Sequence, residues 1–202
     1  DRDAIDTARY GDVWRTHHGM GSVNLITARG CPYRCNWCSH AVFGFSHRRR
    51  SARDVAEEVV QIRERYRPDQ LWYADDVFTI NHRWLFDYAA ELKARDVKLP
   101  FETISRADRM MSDDVLATLA AMGCYRVWIG SESGSQRVLD AMQRGVTVEQ
   151  VRWATKAAQR HGMQVGMFLM WGYEGETVDD IAATVAHVKA ANPDVFFTTV
   201  SY

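Results

Sequence analysis

The chain has 202 residues, 47% hydrophobic and 25% charged; this is the make-up of a globular domain and excludes collagen-like, disordered and disulfide-scaffold classes. Twenty-five Lys and Arg against 26 Asp and Glu leave a formal net charge of −1, which disfavours a globally basic nucleic-acid binder. A chain this long can bury a sizeable core, so its four cysteines are not needed as staples.

Residues 1–21 are polar, carry three glycines and read as a linker or lead-in segment with no chemistry of their own. Short apolar runs then alternate with segments of helical period. Residues 23–27 read as the first strand, and a cysteine-rich loop follows at once. Ser51 with Asp54 resembles a capping box, and Val55, Val59, Ile62 and Tyr66 recur at i, i+4, i+7 and i+11, predicting a helix. A strand over 70–74 precedes a helix over about 81–94, with Leu85, Tyr88, Ala89 and Leu92 on one stripe. Residues 100–105 are strand-like, and a helix from near Ser112 uses Val115, Leu116 and Leu119 and stops at Gly123. A strand over 126–130 begins just after Cys124, which reads as a small buried residue. Thr147 with Gln150 opens a helix ending at Gly162, and residues 164–170 form the next strand. Thr177 with Asp180 opens the last helix, where Ile181, Val185 and Val188 are expected to face inward, and 194–201 is the last strand.

Six strands alternating with helices predict an α/β fold with a parallel sheet and right-handed crossovers. A closed eightfold barrel typically needs about 250 residues, so a partial (β/α)6 barrel over residues 22–202, open on one side, is expected; a doubly wound sheet is the alternative. Both place function at the carboxyl ends of the strands. The longest mostly apolar run, 165–171, falls far short of the roughly 20 residues of a membrane helix. With no secretory signal in view, a cytoplasmic, reducing location is expected.

The loop after the first strand reads Gly30-Cys31-Pro32-Tyr33-Arg34-Cys35-Asn36-Trp37-Cys38-Ser39-His40, a C-x3-C-x2-C spacing. Three thiolates are one short of the four ligands of a structural zinc or a fully protein-bound [4Fe–4S] cluster. On a [4Fe–4S] cluster, Cys31, Cys35 and Cys38 would leave one iron open to a small molecule. Two other readings stay open: a Cys3His zinc knuckle completed by His40, and an electron-carrying metal module without catalysis.

From Val23 onward the sequence resembles the radical S-adenosylmethionine (radical SAM) superfamily, whose motif is C-x3-C-x-aromatic-C, with Trp37 in the aromatic place. The resemblance implies a [4Fe–4S] cluster whose free iron holds the amino and carboxylate groups of SAM. It further implies reductive cleavage of SAM to a 5′-deoxyadenosyl radical, fed by a reductant such as flavodoxin or ferredoxin. The cofactors carry that chemistry, and the protein orients and shields them.

The same resemblance nominates SAM contacts at the other strand ends. Ala74-Asp75-Asp76 stands where relatives often have Gly-Gly-Glu, so Asp75 or Asp76 would meet the methionine ammonium. Arg106 would pair with the SAM carboxylate or a substrate acid. Gly130-Ser131-Glu132-Ser133-Gly134-Ser135 resembles the G-x-E-S-G-S stretch, which nominates Glu132 and Ser133 for the ribose and methionine parts. Arg144-Gly145 replaces a frequent Lys-Gly, with its role open, and Met167 belongs to the apolar wall against which adenine would pack. Gly172-Tyr173-Glu174-Gly175-Glu176-Thr177 departs from a G-x-P-G-E-T pattern at Glu174. No catalytic acid or base is identifiable. His47 to Arg50 reads as a solvated basic face or a contact for an anionic partner.

Within the superfamily, the polar lead-in, the Thr27–Tyr33 stretch, the Asp pair and the serine-rich stretch look like the branch with a cobalamin-binding domain ahead of the barrel. That branch implies cobalamin-dependent methyl transfer, or a related radical modification, on a small-molecule or peptide substrate. Methylthiotransferases are the alternative branch.

Overall fold

The structure is a computed structural model that describes residues 2–38 and 44–201. After a 3-10 turn at Arg2–Ala4, the segment expected to be a linker forms helix α1, Thr7–His18, capped by Asp6 at its start and by left-handed Gly19 at its end. Asp69 ties it down, accepting from Arg15 Nε at 3.0 Å and from the Gly21 amide at 2.6 Å. Helix α1 buries only Thr7, so it carries no apolar stripe by which the sequence would reveal it.

Strand β1, Ser22–Leu25, leads to β2, Ala28–Arg29, which pairs antiparallel with β3, Arg48–Arg49. This two-stranded ribbon brackets the cysteine loop. Then come α2 (Ala52–Tyr66), β4 (Gln70–Tyr73), α3 (His82–Ala94), β5 (Phe101–Ser105), a 3-10 turn (Ala107–Met110) and α4 (Asp113–Met122). The rest is β6 (Cys124–Glu132), α5 (Gln136–Ala141), α6 (Val148–Arg160), β7 (Gln164–Trp171), α7 (Val178–Ala191) and β8 (Val195–Val200). Six parallel strands form one sheet in the order β1-β4-β5-β6-β7-β8, and its ends do not meet. This is the open partial barrel expected from the alternation. Short α5 and the β2/β3 ribbon escape the sequence pattern, being too brief to show a period.

The main core lies between the sheet and the helices. Val23, Leu25, Leu71, Tyr73, Phe101, Val127, Ile129, Val165 and Met167 point outward into it, against Val55, Val59, Ile62, Leu85, Tyr88, Leu116 and Leu119. The buried Tyr73 and Tyr88 hydroxyls bond at 2.6 Å, which satisfies both. Residues one step along each strand face the other way: Trp72, Glu102, Trp128 and Phe168 turn to the concave side.

Helix α7 reverses its expected orientation. Ile181 and Val185 are exposed and Val188 is half-buried, while Asp180, Thr184, His187 and Ala191 face inward. The surface under α7 is a run of serine hydroxyls rather than an apolar layer, so a polar stripe is what fits it.

Candidate functional site

A cavity of about 500 Å³ opens at the carboxyl ends of β4 to β8. Its wall includes Cys31, Cys35, Trp37, Cys38, Asp76, Ile104, Arg106, Glu132, Arg144, Phe168 and Met170. The cysteine loop is pinned over it from α5: Asn36 donates through its backbone to the Met142 carbonyl at 2.9 Å and through Nδ2 to the Ala141 carbonyl at 3.0 Å. Cys35 is buried, and Cys31 and Cys38 are half-buried. Burial raises the thiols of Cys31 and Cys38, and the neighbouring cysteines and Asp76 add to the rise. Among the described residues no three His, Cys, Asp or Glu side chains converge closely enough for a single metal ion. The three sulfurs line one space of larger size. His40, the fourth ligand of the zinc alternative, lies outside the described residues.

Two buried donors at this cavity have no hydrogen-bond partner: Trp37 Nε1 and Arg144 Nε. Buried donors are normally satisfied, so a site that leaves two unpaired is one that a polar ligand completes. The lining also carries both signs of charge, Asp76 and Glu132 against Arg106 and Arg144, beside the apolar surfaces of Val77, Ile104, Phe168 and Met170. Three thiolates and this mixed lining fit a sulfur-ligated cluster together with a zwitterionic, partly apolar ligand.

The two aspartates separate. Asp76 is exposed on the cavity wall. Asp75 is turned away and buried: its carboxylate accepts from the Thr27 amide at 2.6 Å, the Ala28 amide at 3.1 Å and the Thr27 hydroxyl, and it pairs with Arg49 at 3.4 Å. Of the two aspartates expected at a ligand ammonium, Asp75 thus lies off the cavity wall and Asp76 on it. Asp75 joins the end of β1 to the β2/β3 ribbon from below.

The serine-rich stretch divides by position. Ser131 Oγ meets His187 Nε2 at 3.0 Å, Ser133 Oγ meets Thr184 Oγ1 at 3.1 Å, and Ser135 Oγ donates to Asp180 Oδ1 at 2.6 Å. The Ser135 bond, with those from Arg137 and Thr177, holds Asp180 well below the usual carboxylate range. Burial, with Arg152 beside it, pushes His187 down to about 4; Nδ1 accepts from Arg152 at 3.2 Å, so Nε2 carries the proton given to Ser131. Ser133, expected near the ribose or methionine of the ligand, thus bonds α7 and lies outside the cavity wall. Gly134 lets α7 approach: an added Cβ would lie 2.5 Å from His187 Cβ and 2.6 Å from the Ala183 carbonyl.

Glu132 alone of the stretch turns inward. A β-bulge interrupts the β6/β7 register between Gly130 and Glu132, and Glu132 takes φ +61°, a strained value for a residue with a side chain. Burial pushes its carboxyl up to about 7, with Arg144 and Arg106 opposing the rise. Arg144 Nε stands 3.7 Å away.

Met167 is fully buried in the sheet–helix core and does not reach the cavity. Phe168 and Met170, on the opposite face of the pleat, line the cavity instead. Both faces of β7 are apolar, so its sequence does not tell which face is concave. Arg144, whose role the sequence left open, lines the cavity, and Tyr33 packs under Arg106, whose guanidinium lies 3.6 Å above its ring. No helix among the described residues is long and apolar enough to cross a membrane.

The family model described as the Radical SAM superfamily matches residues 25–188. An uncharacterized methyltransferase of Pyrococcus horikoshii is 29% identical over 88% of this chain and 39% of its own length. The cytidylyl-2-hydroxyethylphosphonate methyltransferase of Streptomyces wedmorensis is 33% identical over 83% of this chain and 33% of its own. The chain therefore spans between a third and two fifths of these relatives. The radical SAM methyltransferase TsrM from Kitasatospora setae, solved with cobalamin and a [4Fe–4S] cluster bound, superposes with a TM-score of 0.80 at 20% identity. It covers 90% of this chain and 37% of that one, and the likeness is one of fold.

Proposed function

The chain belongs to the radical SAM superfamily, and from that premise we propose that it is the SAM-cleaving core of a cobalamin-dependent methyltransferase. The observation that carries this reading is the meeting of Cys31, Cys35, Cys38 and Trp37 with Asp76, Glu132, Arg106 and Arg144 on one cavity at the strand ends. Cys31, Cys35 and Cys38 would hold a [4Fe–4S] cluster and leave one iron for SAM. When bound, the cluster supplies the electron that cleaves the SAM sulfonium.

The chain's own residues orient the ligand and keep water out. Asp76 would face the methionine ammonium with its carboxylate, and Arg144 would offer the ligand carboxylate its Nε, which has no hydrogen-bond partner. Arg106 is committed elsewhere, since Nε bonds Asp108 at 2.9 Å and Nη2 bonds the Arg144 carbonyl at 2.8 Å. It contributes positive charge to the cavity floor rather than a free fork. Glu132, with a carboxyl near neutrality, is suited to a ribose hydroxyl, as acceptor or donor. Phe168, Met170 and Ile104 supply the apolar surface for adenine.

The methyltransferase assignment draws on the names of the two curated relatives, and cobalamin on the superposed TsrM, which was solved with it bound. In the whole protein, cobalamin would sit in a domain outside this chain, and a flavodoxin- or ferredoxin-like reductant in a reducing compartment would feed the cluster. The test is anaerobic reconstitution with iron and sulfide, followed by dithionite and SAM. The expected result is a brown protein that forms 5′-deoxyadenosine, with Cys35→Ala folded but colourless. A fully loaded cluster that leaves SAM intact overturns the reading, as does a colourless protein holding one zinc.

A further inference from the structure

The three cysteines are not treated alike by their surroundings. Arg106 Nη1 lies 3.8 Å from Cys35 Sγ, and Arg144 Nη1 lies 3.9 Å from the same sulfur. Among the described residues no arginine bonds Cys31 or Cys38. Both guanidiniums are buried, at 2% and 6% residue exposure. They come from different elements: Arg106 follows β5 and Arg144 follows α5.

Each is clamped in the pose that aims it. Arg106 is fixed by Asp108, by the Arg144 carbonyl and by the Tyr33 ring beneath it. Arg144 donates through Nη2 to the Gly130 carbonyl at 2.9 Å. The Arg106 bond to the Arg144 backbone makes the two one unit. Tyr33 belongs to the cysteine loop itself, so loop and arginines lock together.

A guanidinium stays charged throughout the accessible pH range, and inside a protein its field is little screened. N–H donors and positive charge aimed at a cluster sulfur favour the more negative, reduced state. We infer that Arg106 and Arg144 form a paired donor to the Cys35 sulfur that raises the reduction potential of the cluster at that corner. The inference rests on the cluster reading above. One electron enters the cluster from a low-potential one-electron reductant; the arginines neither gain nor lose a proton.

The test uses the full chain, reconstituted anaerobically and without SAM, titrated against mediator dyes and followed by electron paramagnetic resonance. Arg106→Gln and Arg144→Gln are each expected to lower the reduced-to-oxidised ratio at fixed solution potential about tenfold, equivalent to about 59 mV for one electron. Arg144→Lys, which keeps the charge but not the fork, should recover part of the loss. Arg126→Gln, a sheet residue bonded to Gln164 and away from the cysteines, should leave the ratio unchanged. Loaded Gln variants with wild-type midpoints overturn the inference while the cluster reading stands. So does loss of the cluster from both Gln variants when the wild type loads, since the pair would then only hold the loop. A wild type that binds no cluster removes the cluster reading and the inference together.

Discussion

Asp75 and Asp76 are adjacent in sequence, and exchanging each for alanine should separate folding from ligand binding. The Asp75 carboxylate takes two backbone amides and a hydroxyl from Thr27 and Ala28, and pairs with Arg49, whose side chain is 7% exposed. Burial raises the pKa of Asp75 and lowers that of Arg49, so the intact pair adds little net stability. Cutting it is different. Asp75→Ala leaves a buried guanidinium without its counter-charge and two buried amide donors without their acceptor, at a cost of about 3–5 kcal/mol. For a chain of this size that is a fall in Tm of roughly 6–20 °C. Asp76→Ala removes an exposed side chain and should change stability by no more than about 0.5 kcal/mol. It should weaken SAM binding by roughly ten- to a hundredfold, the worth of a charged hydrogen bond of about 1.5–3 kcal/mol. Anaerobic thermal melts and equilibrium dialysis of labelled SAM against the reconstituted protein measure the two effects. An Asp75→Ala protein that melts with the wild type, or an Asp76→Ala protein that binds SAM at wild-type affinity, refutes this division of roles.

Two further outcomes follow from the β6–α7 region. Gly134→Ala drives a methyl into the α7 backbone and should cost about 1–3 kcal/mol; Gly11→Ala, in an open stretch of α1, should be neutral or stabilising by up to about 1 kcal/mol. Equal melting temperatures for the two variants in calorimetry would rule out the close approach of α7. Glu132 has a folded pKa of about 7, above its unfolded value, so its favourable contribution is complete below about pH 4.5 and is lost as pH rises through 7. Glu132→Gln should abolish that loss, gaining roughly 2–3 kcal/mol on the wild type between pH 5 and pH 8 in the cluster-free chain; parallel urea-denaturation curves across that range would disprove it.

The six strands, the five long helices after the cysteine loop and the loop itself are legible in the chain because each rests on local information. Strand runs, capping pairs such as Thr147 with Gln150, and thiol spacing all lie within a few residues of one another. What local pattern cannot hold is direction. Whether Asp75 or Asp76 meets the cavity, whether Met167 or its neighbours line it, and which stripe of α7 is covered each depend on what stands opposite. That partner comes from a distant segment: Thr27 for Asp75, and the serines at and just past the end of β6 for α7. The convergence of Arg106 and Arg144 on Cys35 spans 71 and 109 positions of sequence. Only the curling of the sheet brings those charges to one sulfur, because a strand's pleat and a helix's turn fix where a side chain can point, and packing fixes what it finds there.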